Sequence, residues 1–368
     1  MKQLFTFLLV AATAVARAQT APPTDSLSST APAPKPFTFY GAVDAYYGYD
    51  SGNDVSNFRP EFLYSHNRQN EFSVNQAVVG VRFNNEQVRG ALGLHAGSYV
   101  EANYADEDPT FRHLYEAYAG FRPFKKTWLD VGIFTSHIGF ESAISKENWT
   151  LTRSLMAENS PYYEAGARFT YEVDPKLTLT ALVLNGWQNI RETNENKALG
   201  TQIQWKPSDK LLINSSTFSG IEGPFGSAQY RRYFHNFYFT YALTSHLSVA
   251  GVFDVGKQET AVYGKYDTWH TGAAFLRYQL ADKWFATARA EYYVAERGVI
   301  INSSTPAFGD ADFRAGGGSL NLDYAPTANV LLRLEGRYLQ GRAPVFSRVE
   351  NPSANSYGNL TSSVAISF

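Results

Sequence analysis

The sequence predicts an all-β fold: a transmembrane antiparallel up-and-down β-barrel of about 16 strands, with short turns at one end and long loops at the other. Three observations predict it. The 368-residue chain carries 24 Tyr and 26 Phe beside 28 Gly, a mixture that favours strands. After residue 36, about sixteen segments of roughly 10 to 14 residues show period-two hydrophobicity or enrichment in aromatic and β-branched residues. No stretch there approaches about 18 consecutive apolar residues, so membrane-spanning helices are not expected.

Composition also excludes several classes of function. The formal net charge of −2 argues against a nucleic-acid binder, because neutralising phosphates requires an excess of basic residues. The absence of cysteine excludes disulfide frameworks, thiolate metal sites and cysteine nucleophiles.

The N-terminal region has the composition of a targeting signal followed by a linker. Residues 1–18 have a basic start, a short apolar stretch and small residues before a cleavage point, as in a signal peptide. Residues 19–36 are mainly Ala, Pro, Ser and Thr, which predicts a flexible linker. We therefore expect the barrel to occupy residues 37–368, exported to the outer membrane of a Gram-negative bacterium.

The connections between the segments alternate in length, which is the layout of an outer-membrane barrel with tight periplasmic turns and long external loops. The short connections are rich in Pro, Asn, Asp and Ser, which suit tight turns. They lie at 84–87, 122–126, 174–176, 207–210, 244–246, 281–283 and 326–329. The long ones lie near 50–70, 101–111, 140–160, 188–197, 221–229, 257–265, 297–312 and 341–355. Seven turns and eight loops join sixteen strands, and both chain ends then lie on the turn side.

Within the segments, alternation assigns an outward and an inward face. From Trp284 onwards the even positions are apolar, whereas Thr287, Arg289 and Glu291 alternate with them. About sixteen strands predict a bore wide enough for an aqueous channel rather than a filled core. We expect the charged residues of the inward register to line it: Glu116, Asp130, Glu164, Arg168, Arg277, Arg289, Glu291, Asp323, Arg333, Glu335 and Arg337. Because the two signs nearly cancel, weak ion selectivity is expected.

Aromatic residues near the segment ends predict two girdles at the lipid–water interfaces, and hence outer-membrane lipid as a partner. The expected turn-side girdle contains Phe39, Trp128, Tyr171, Trp205, Tyr241, Tyr278, Trp284 and Tyr324. The expected loop-side girdle contains Tyr49, Tyr99, Tyr162, Trp187, Trp269 and Tyr292.

Several short motifs resemble one known family. They are the run Phe39–Tyr47, Asn70–Asn75, Gly132–Phe134 with Ile138–Glu141, Ser160–Tyr163 and Val183–Trp187. Together they resemble the OmpL-like family of outer-membrane β-barrel porins, over about residues 37–368. The terminal Phe368 is similar to the signal that barrel-insertion machinery reads. The resemblance implies a porin, and general porins are commonly trimers, so a homotrimer is an expected assembly; no segment marks a subunit interface.

The third long loop has more apolar content than an external loop requires, at a helix-like spacing between Ser142 and Asn159. In general porins the loop between strands five and six folds inward, and this segment is similar in ordinal position. We expect its charged residues to include groups that face the pore; the alternative is a helical cap on neighbouring loops. The candidates are Glu141, Lys146, Glu147, Arg153 and Glu158.

The expected function is passive diffusion of small hydrophilic solutes and ions through a water-filled channel. Alternatives are a barrel whose external loops bind a ligand or a surface, a barrel-embedded hydrolase, and a secreted soluble β protein. The chain has no G-x-S-x-G, H-E-x-x-H or phosphate-binding glycine loop, so no enzyme, catalytic residue, cofactor or metal is predicted.

Overall fold

The computed structural model describes residues 36–51, 56–301, 312–346 and 354–368. They form sixteen strands in a closed antiparallel barrel. The strands are β1 (Phe37–Asp50), β2 (Phe72–Asn84), β3 (Val88–Ala96), β4 (Leu114–Phe121), β5 (Thr127–Thr135), β6 (Tyr163–Asp174), β7 (Leu177–Leu184), β8 (Ala198–Ser208), β9 (Leu211–Glu222), β10 (Tyr230–Ala242), β11 (Leu247–Glu259), β12 (Tyr266–Ala281), β13 (Trp284–Ala295), β14 (Phe313–Thr327), β15 (Val330–Gly341) and β16 (Ser356–Ser367).

Each strand pairs with its neighbours in sequence, and β1 closes the barrel on β16. The closing register pairs Ala42 with Ser367, and the amide and carbonyl groups of Gly41 and Phe368 exchange hydrogen bonds of 2.9 Å. Closure pairs the two edges that lipid would otherwise leave without hydrogen-bond partners. The strand number and topology expected from the sequence are confirmed. The expected signal peptide and nearly all of the linker lie outside the described residues.

The connections also alternate in length as expected. The seven at the short-turn end have five residues or fewer, and side chains such as Asn85 and Asp174 accept their backbone N–H groups. Within the described ranges, two long loops contain helices: α1 (Ser98–Asn103) in the second loop, and a 3-10 helix (Ser145–Glu147) with α2 (Leu155–Glu158) in the third. Among the described residues no helix has the length and apolar character needed to cross a bilayer.

The outer wall is apolar, as alternation predicts, and the inward positions of strands such as β15 carry charged side chains. Leu332, Leu334 and Tyr338 on β15 are exposed, whereas the side chains between them are buried. Aromatic side chains exposed near strand ends include Phe39, Tyr49, Tyr171, Trp205, Tyr241, Tyr278, Trp284 and Tyr292. The girdle assignment was wrong for Tyr99, Trp128, Tyr162 and Trp269, which are buried. Trp128 and Trp269 face inward on β5 and β12, whereas Tyr99 lies on α1 and Tyr162 in the third loop, so neither tyrosine is part of the wall.

The expected open bore is not what the described residues form, because the interior is packed. In the half of the barrel near the long loops, Phe62 of the first loop packs between Phe313 and Phe346, with ring centroids 5.1 and 5.8 Å away. Inward-facing Trp269 belongs to the same cluster and lies against Gly256, where a Cβ atom would come within 2.1 Å of its ring. We call this cluster the apolar cap. Its members include Phe62, Leu63, Leu155, Phe218, Phe234, Trp269, Tyr293, Phe313, Leu339, Phe346 and Tyr357.

Candidate functional site

The third loop, residues 136–162, fills much of the remaining interior. It enters the barrel at His137, whose Nδ1 lies 2.9 Å from a carboxylate oxygen of Glu164 and whose Nε2 lies 2.9 Å from the Thr217 carbonyl oxygen. Burial lowers the pKa of His137, but these two acceptors outweigh it, and the pKa stands above its ordinary value. Gly200 leaves room for the ring, because a Cβ atom there would lie 2.9 Å from it.

Beyond His137 the loop crosses to the opposite wall. The amide of Gln202 on β8 and the hydroxyl of Ser216 on β9 donate to the His137 carbonyl at 2.8 and 2.7 Å. Phe140 then packs against Phe275 of β12, with ring centroids 5.3 Å apart. The segment therefore spans the lumen from one side of the sheet to the other.

The tip of the loop reaches the short-turn end of the barrel. The Lys146 ammonium group donates to the Ala328 carbonyl oxygen at 2.7 Å and to the Ser367 hydroxyl at 2.5 Å. Ala328 lies in the turn between β14 and β15, and Ser367 ends β16. The loop thus starts at one end of the barrel and makes contacts at the other.

Charged side chains of the wall form hydrogen bonds with backbone groups of the third loop between residues 145 and 155. Arg333 donates to the carbonyl oxygens of Ser145 and Asn148 at 2.6 and 3.0 Å. Glu335 accepts from the Thr152 amide at 2.5 Å, and Glu291 accepts from the Leu155 amide at 2.7 Å. Arg289 donates to the Thr152 carbonyl oxygen at 2.6 Å. Since buried backbone groups require partners, these side chains satisfy a segment that has little secondary structure of its own.

Three charged loop residues make contacts inside the loop layer. The Arg153 guanidinium lies between the rings of Tyr99 and Tyr162, 4.1 and 4.2 Å from their centroids. Glu141 accepts hydrogen bonds from the amide and hydroxyl of Ser154. Glu158 accepts from the Tyr64 amide of the first loop at 3.0 Å, which ties the two loops together.

The wall charges of the late strands form a buried network of two clusters. Arg289 contacts Glu291 and Glu335 at 3.2 and 3.1 Å, and Arg337 contacts Glu291 at 2.8 Å. Arg333 pairs with Asp323 at 2.8 Å. Buried ion pairs contribute little net stability compared with apolar packing, but removing one partner is costly. The network therefore holds the loop in one position rather than replacing a hydrophobic core.

On the early strands the carboxylates pair with the expected Arg168 and with two arginines, Arg82 and Arg89, that were not predicted to line the lumen. Glu116 accepts from Arg82 at 2.8 Å, and Asp130 accepts from Arg89 at 2.6 Å and from Arg168 at 3.0 Å. Both missed arginines lie at inward positions of β2 and β3, so the alternation of those strands was the signal that could have found them.

The expected site residues are thus brought together in three groups. Arg289, Glu291, Arg333 and Glu335 bind the third loop, the early-strand acids bind arginines or His137, and the remaining late-strand charges pair with other wall residues, Arg277 lying 3.8 Å from Asp323. Of the loop candidates, Glu141, Arg153 and Glu158 are buried, Lys146 is half-buried and Glu147 is exposed. That these residues line a conducting pore stays a prediction. In the parts of the chain that are described, no cluster of His, Asp or Glu has a metal-binding arrangement.

Solved structures with the same fold are porins and other outer-membrane proteins. The anion-selective porin of Comamonas acidovorans superimposes with a TM-score of 0.61 at 9% identity, covering 90% of this chain and 99% of that one. OmpT of Vibrio cholerae gives 0.59 at 9% identity, covering 90% and 97%. OprB of Pseudomonas putida gives 0.58 at 10% identity, covering 90% and 94%. At such identities the likeness shows the fold alone.

Sequence comparison assigns the family. No curated protein matches the chain in sequence. The family model described as "Putative beta-barrel porin-2, OmpL-like" matches residues 36–368, which include every strand of the barrel. The chain therefore belongs to this OmpL-like family of outer-membrane β-barrel porins.

Proposed function

We propose that this porin passes small hydrophilic solutes and ions by passive diffusion, and that the arrangement described above is its closed state. The observation that carries the proposal is the chemistry of the inner wall. Arg289, Glu291, Arg333 and Glu335 project from the strands into the interior, yet what covers them is a separate segment, the third loop.

A barrel that was permanently filled would not require such a wall. Replacing buried ion pairs with apolar residues of similar volume is often neutral or stabilising. A charged wall is, however, suited to water, as in porin lumens. Displacement of the third loop would expose this wall and leave a passage lined by hydrated side chains.

Two layers must shift for solutes to cross. The polar layer is the third loop on the wall charges, and the apolar cap closes the half near the long loops. Leu155 belongs to the loop and to the cap, so movement of the loop also loosens the cap. Constrictions of this apolar kind close channels by excluding water.

Solute uptake into liposomes tests the proposal. The wild-type protein is compared with a variant in which a glycine–serine linker replaces Ser145–Met156, using neutral sugars of increasing size. We expect slow uptake through the wild type and fast, size-limited uptake through the variant. No uptake by a correctly folded variant would contradict the proposal. That result would favour the second candidate, a closed barrel whose external loops bind a ligand or surface, which the packed apolar cap also fits.

Export through the N-terminal signal, insertion through Phe368 and assembly as a homotrimer are parts of the same proposal. Homotrimers can be detected by cross-linking in native outer membranes. A chain that remains in the cytoplasm, or runs only as a monomer after cross-linking, would contradict these points.

A further inference from the structure

We infer that the part of the lumen open at the short-turn end is an anion-attracting vestibule, so that the solutes favoured by the channel are small anions. The passage of anions through the barrel depends on the proposed porin function. The attraction of anions into the vestibule does not depend on it. It differs from the weak selectivity that residue counting predicts, and the difference lies in which member of each ion pair reaches the solvent.

In four ion pairs near this end, the carboxylate is buried and the arginine is partly exposed. The side chain of Arg82 is 40% exposed against 4% for Glu116. Arg89 and Arg168 are 15% and 16% exposed against 0% for their shared partner Asp130. Arg277 is 19% exposed against 0% for Asp323. A solute entering the vestibule therefore meets guanidinium groups, with the compensating charge behind them.

The other inward-facing charges at this end do not reverse the sign. Lys206 on β8 and Lys146 at the loop tip are half-buried and add positive charge. Glu147 is exposed and Glu172 on β6 is half-buried, and both add negative charge. The solvent-accessible cations therefore outnumber the accessible carboxylates. Low-dielectric walls focus such a field and raise the local concentration of counter-ions.

One arginine at the rim provides an independent indication. The Arg122 and Arg89 guanidinium groups lie over the Trp128 ring, 4.4 and 4.5 Å from its centroid. The Nε atom of Arg122 is buried and has no acceptor among the described residues. The Arg122 residue as a whole is half-buried, so it adds a further cation at the rim. Charged side chains of this kind set the selectivity of anion pores.

Thiol labelling tests the vestibule without requiring conduction, because the native chain has no cysteine. A single cysteine is introduced at Gln204, an inward-facing position beside Lys206. Its reaction rates with an anionic reagent, sulfonatoethyl methanethiosulfonate, and a cationic one, the trimethylammonioethyl analogue, are measured in detergent. A cysteine at the fully exposed Tyr263 gives the intrinsic rate ratio of the two reagents.

Relative to the Tyr263→Cys control, Gln204→Cys should favour the anionic reagent severalfold. Adding K206Q and R277Q should remove most of this preference. Neither substitution removes the closest partner of a buried carboxylate, because Asp323, which Arg277 also contacts, remains paired with Arg333. The matched control is K265Q, which alters an exposed lysine of the sixth long loop. A normalised ratio at or below one, or no labelling by either reagent, would overturn the inference.

Reversal potentials distinguish this inference from the proposed function. Under a KCl gradient, channels should show a potential displaced towards that of chloride, and K206Q with R277Q should move it towards zero. Anion-favoured labelling in a barrel that never conducts would contradict the proposed function and leave the vestibule intact. Channels that prefer potassium would overturn the inference and leave the porin function intact.

Discussion

The Lys146 ammonium group, at the tip of the third loop, donates a hydrogen bond of 2.7 Å to the Ala328 carbonyl oxygen in the turn between β14 and β15. A residue from a loop that starts at one end of the barrel is thereby attached at the other end. The same ammonium group donates a second, part-buried hydrogen bond to the Ser367 hydroxyl of the last strand. The tip of the third loop is thus anchored at the short-turn end of the barrel.

Loss of the Lys146 hydrogen bonds should make displacement of the third loop from the lumen more frequent. K146M removes both hydrogen bonds and retains the aliphatic stem, at a cost of about 1 kcal/mol for each. We expect more frequent openings in single-channel recordings and faster proteolysis of the loop. The matched control is K265M, which removes an exposed lysine of an external loop and should change neither property. Equal opening frequencies for the two variants would argue against the anchor.

The entry of the loop should depend on pH through His137. Its pKa is raised above the ordinary value of 6.5, so its contribution to stability is complete below about pH 6.5 and is lost as pH rises through the raised value. Above that value, one of its two acceptors, Glu164 or Thr217, loses its donor. The midpoint of heat-induced unfolding in detergent should therefore fall over this range. H137N should reduce this dependence, and an unchanged pH profile would contradict the role of His137.

Arg333 should be among the most sensitive residues of the wall. R333M leaves Asp323 with weaker partners and removes the donor to two loop carbonyl groups. Breaking a buried pair in this way costs about 3 to 5 kcal/mol. Urea unfolding in detergent micelles measures the change. The control R314M removes an exposed pair with Asp312 and should cost less than about 1 kcal/mol. Similar losses for the two variants would show that the network does not hold the loop.

Arg153 should require a planar guanidinium rather than positive charge alone. R153K retains the charge but loses the stacking between Tyr99 and Tyr162 and the hydrogen bond to the Ala143 carbonyl oxygen. We expect a loss of about 2 kcal/mol in unfolding free energy, with R153M losing more. If lysine restored wild-type stability, charge rather than stacking would be the relevant property.

The fold was predictable because strand alternation and turn chemistry are local. On β13 the alternation that starts at Trp284 predicts which side chains face outward. Residues that favour tight turns predict which end of the barrel carries the short connections. β9 and β10 were harder to assign, because Ser215, Thr217 and His235 lie at positions where other strands place apolar residues. Ser215 and His235 contact each other at 2.9 Å, which lowers the cost of their exposure to lipid.

The candidate site was only partly predictable, because it depends on contacts between distant parts of the chain. The register identified Arg289 and Glu335 as inward-facing but could not show that they bind Thr152, more than 130 residues away. Trp269 was assigned to the loop-side girdle and instead belongs, with Phe313, to the apolar cap. Local patterns specify which wall a side chain faces, whereas filling of the lumen depends on where a loop comes to rest.

The central claim is that the third loop closes the lumen, and single-channel recording in a planar lipid bilayer tests it most directly. Wild-type protein is compared with the variant in which a glycine–serine linker replaces Ser145–Met156, both confirmed as folded by their heat-dependent gel shift. We predict brief, small openings for the wild type and stable ohmic steps of much larger conductance for the variant. Equal conductance in the two folded proteins would contradict the claim.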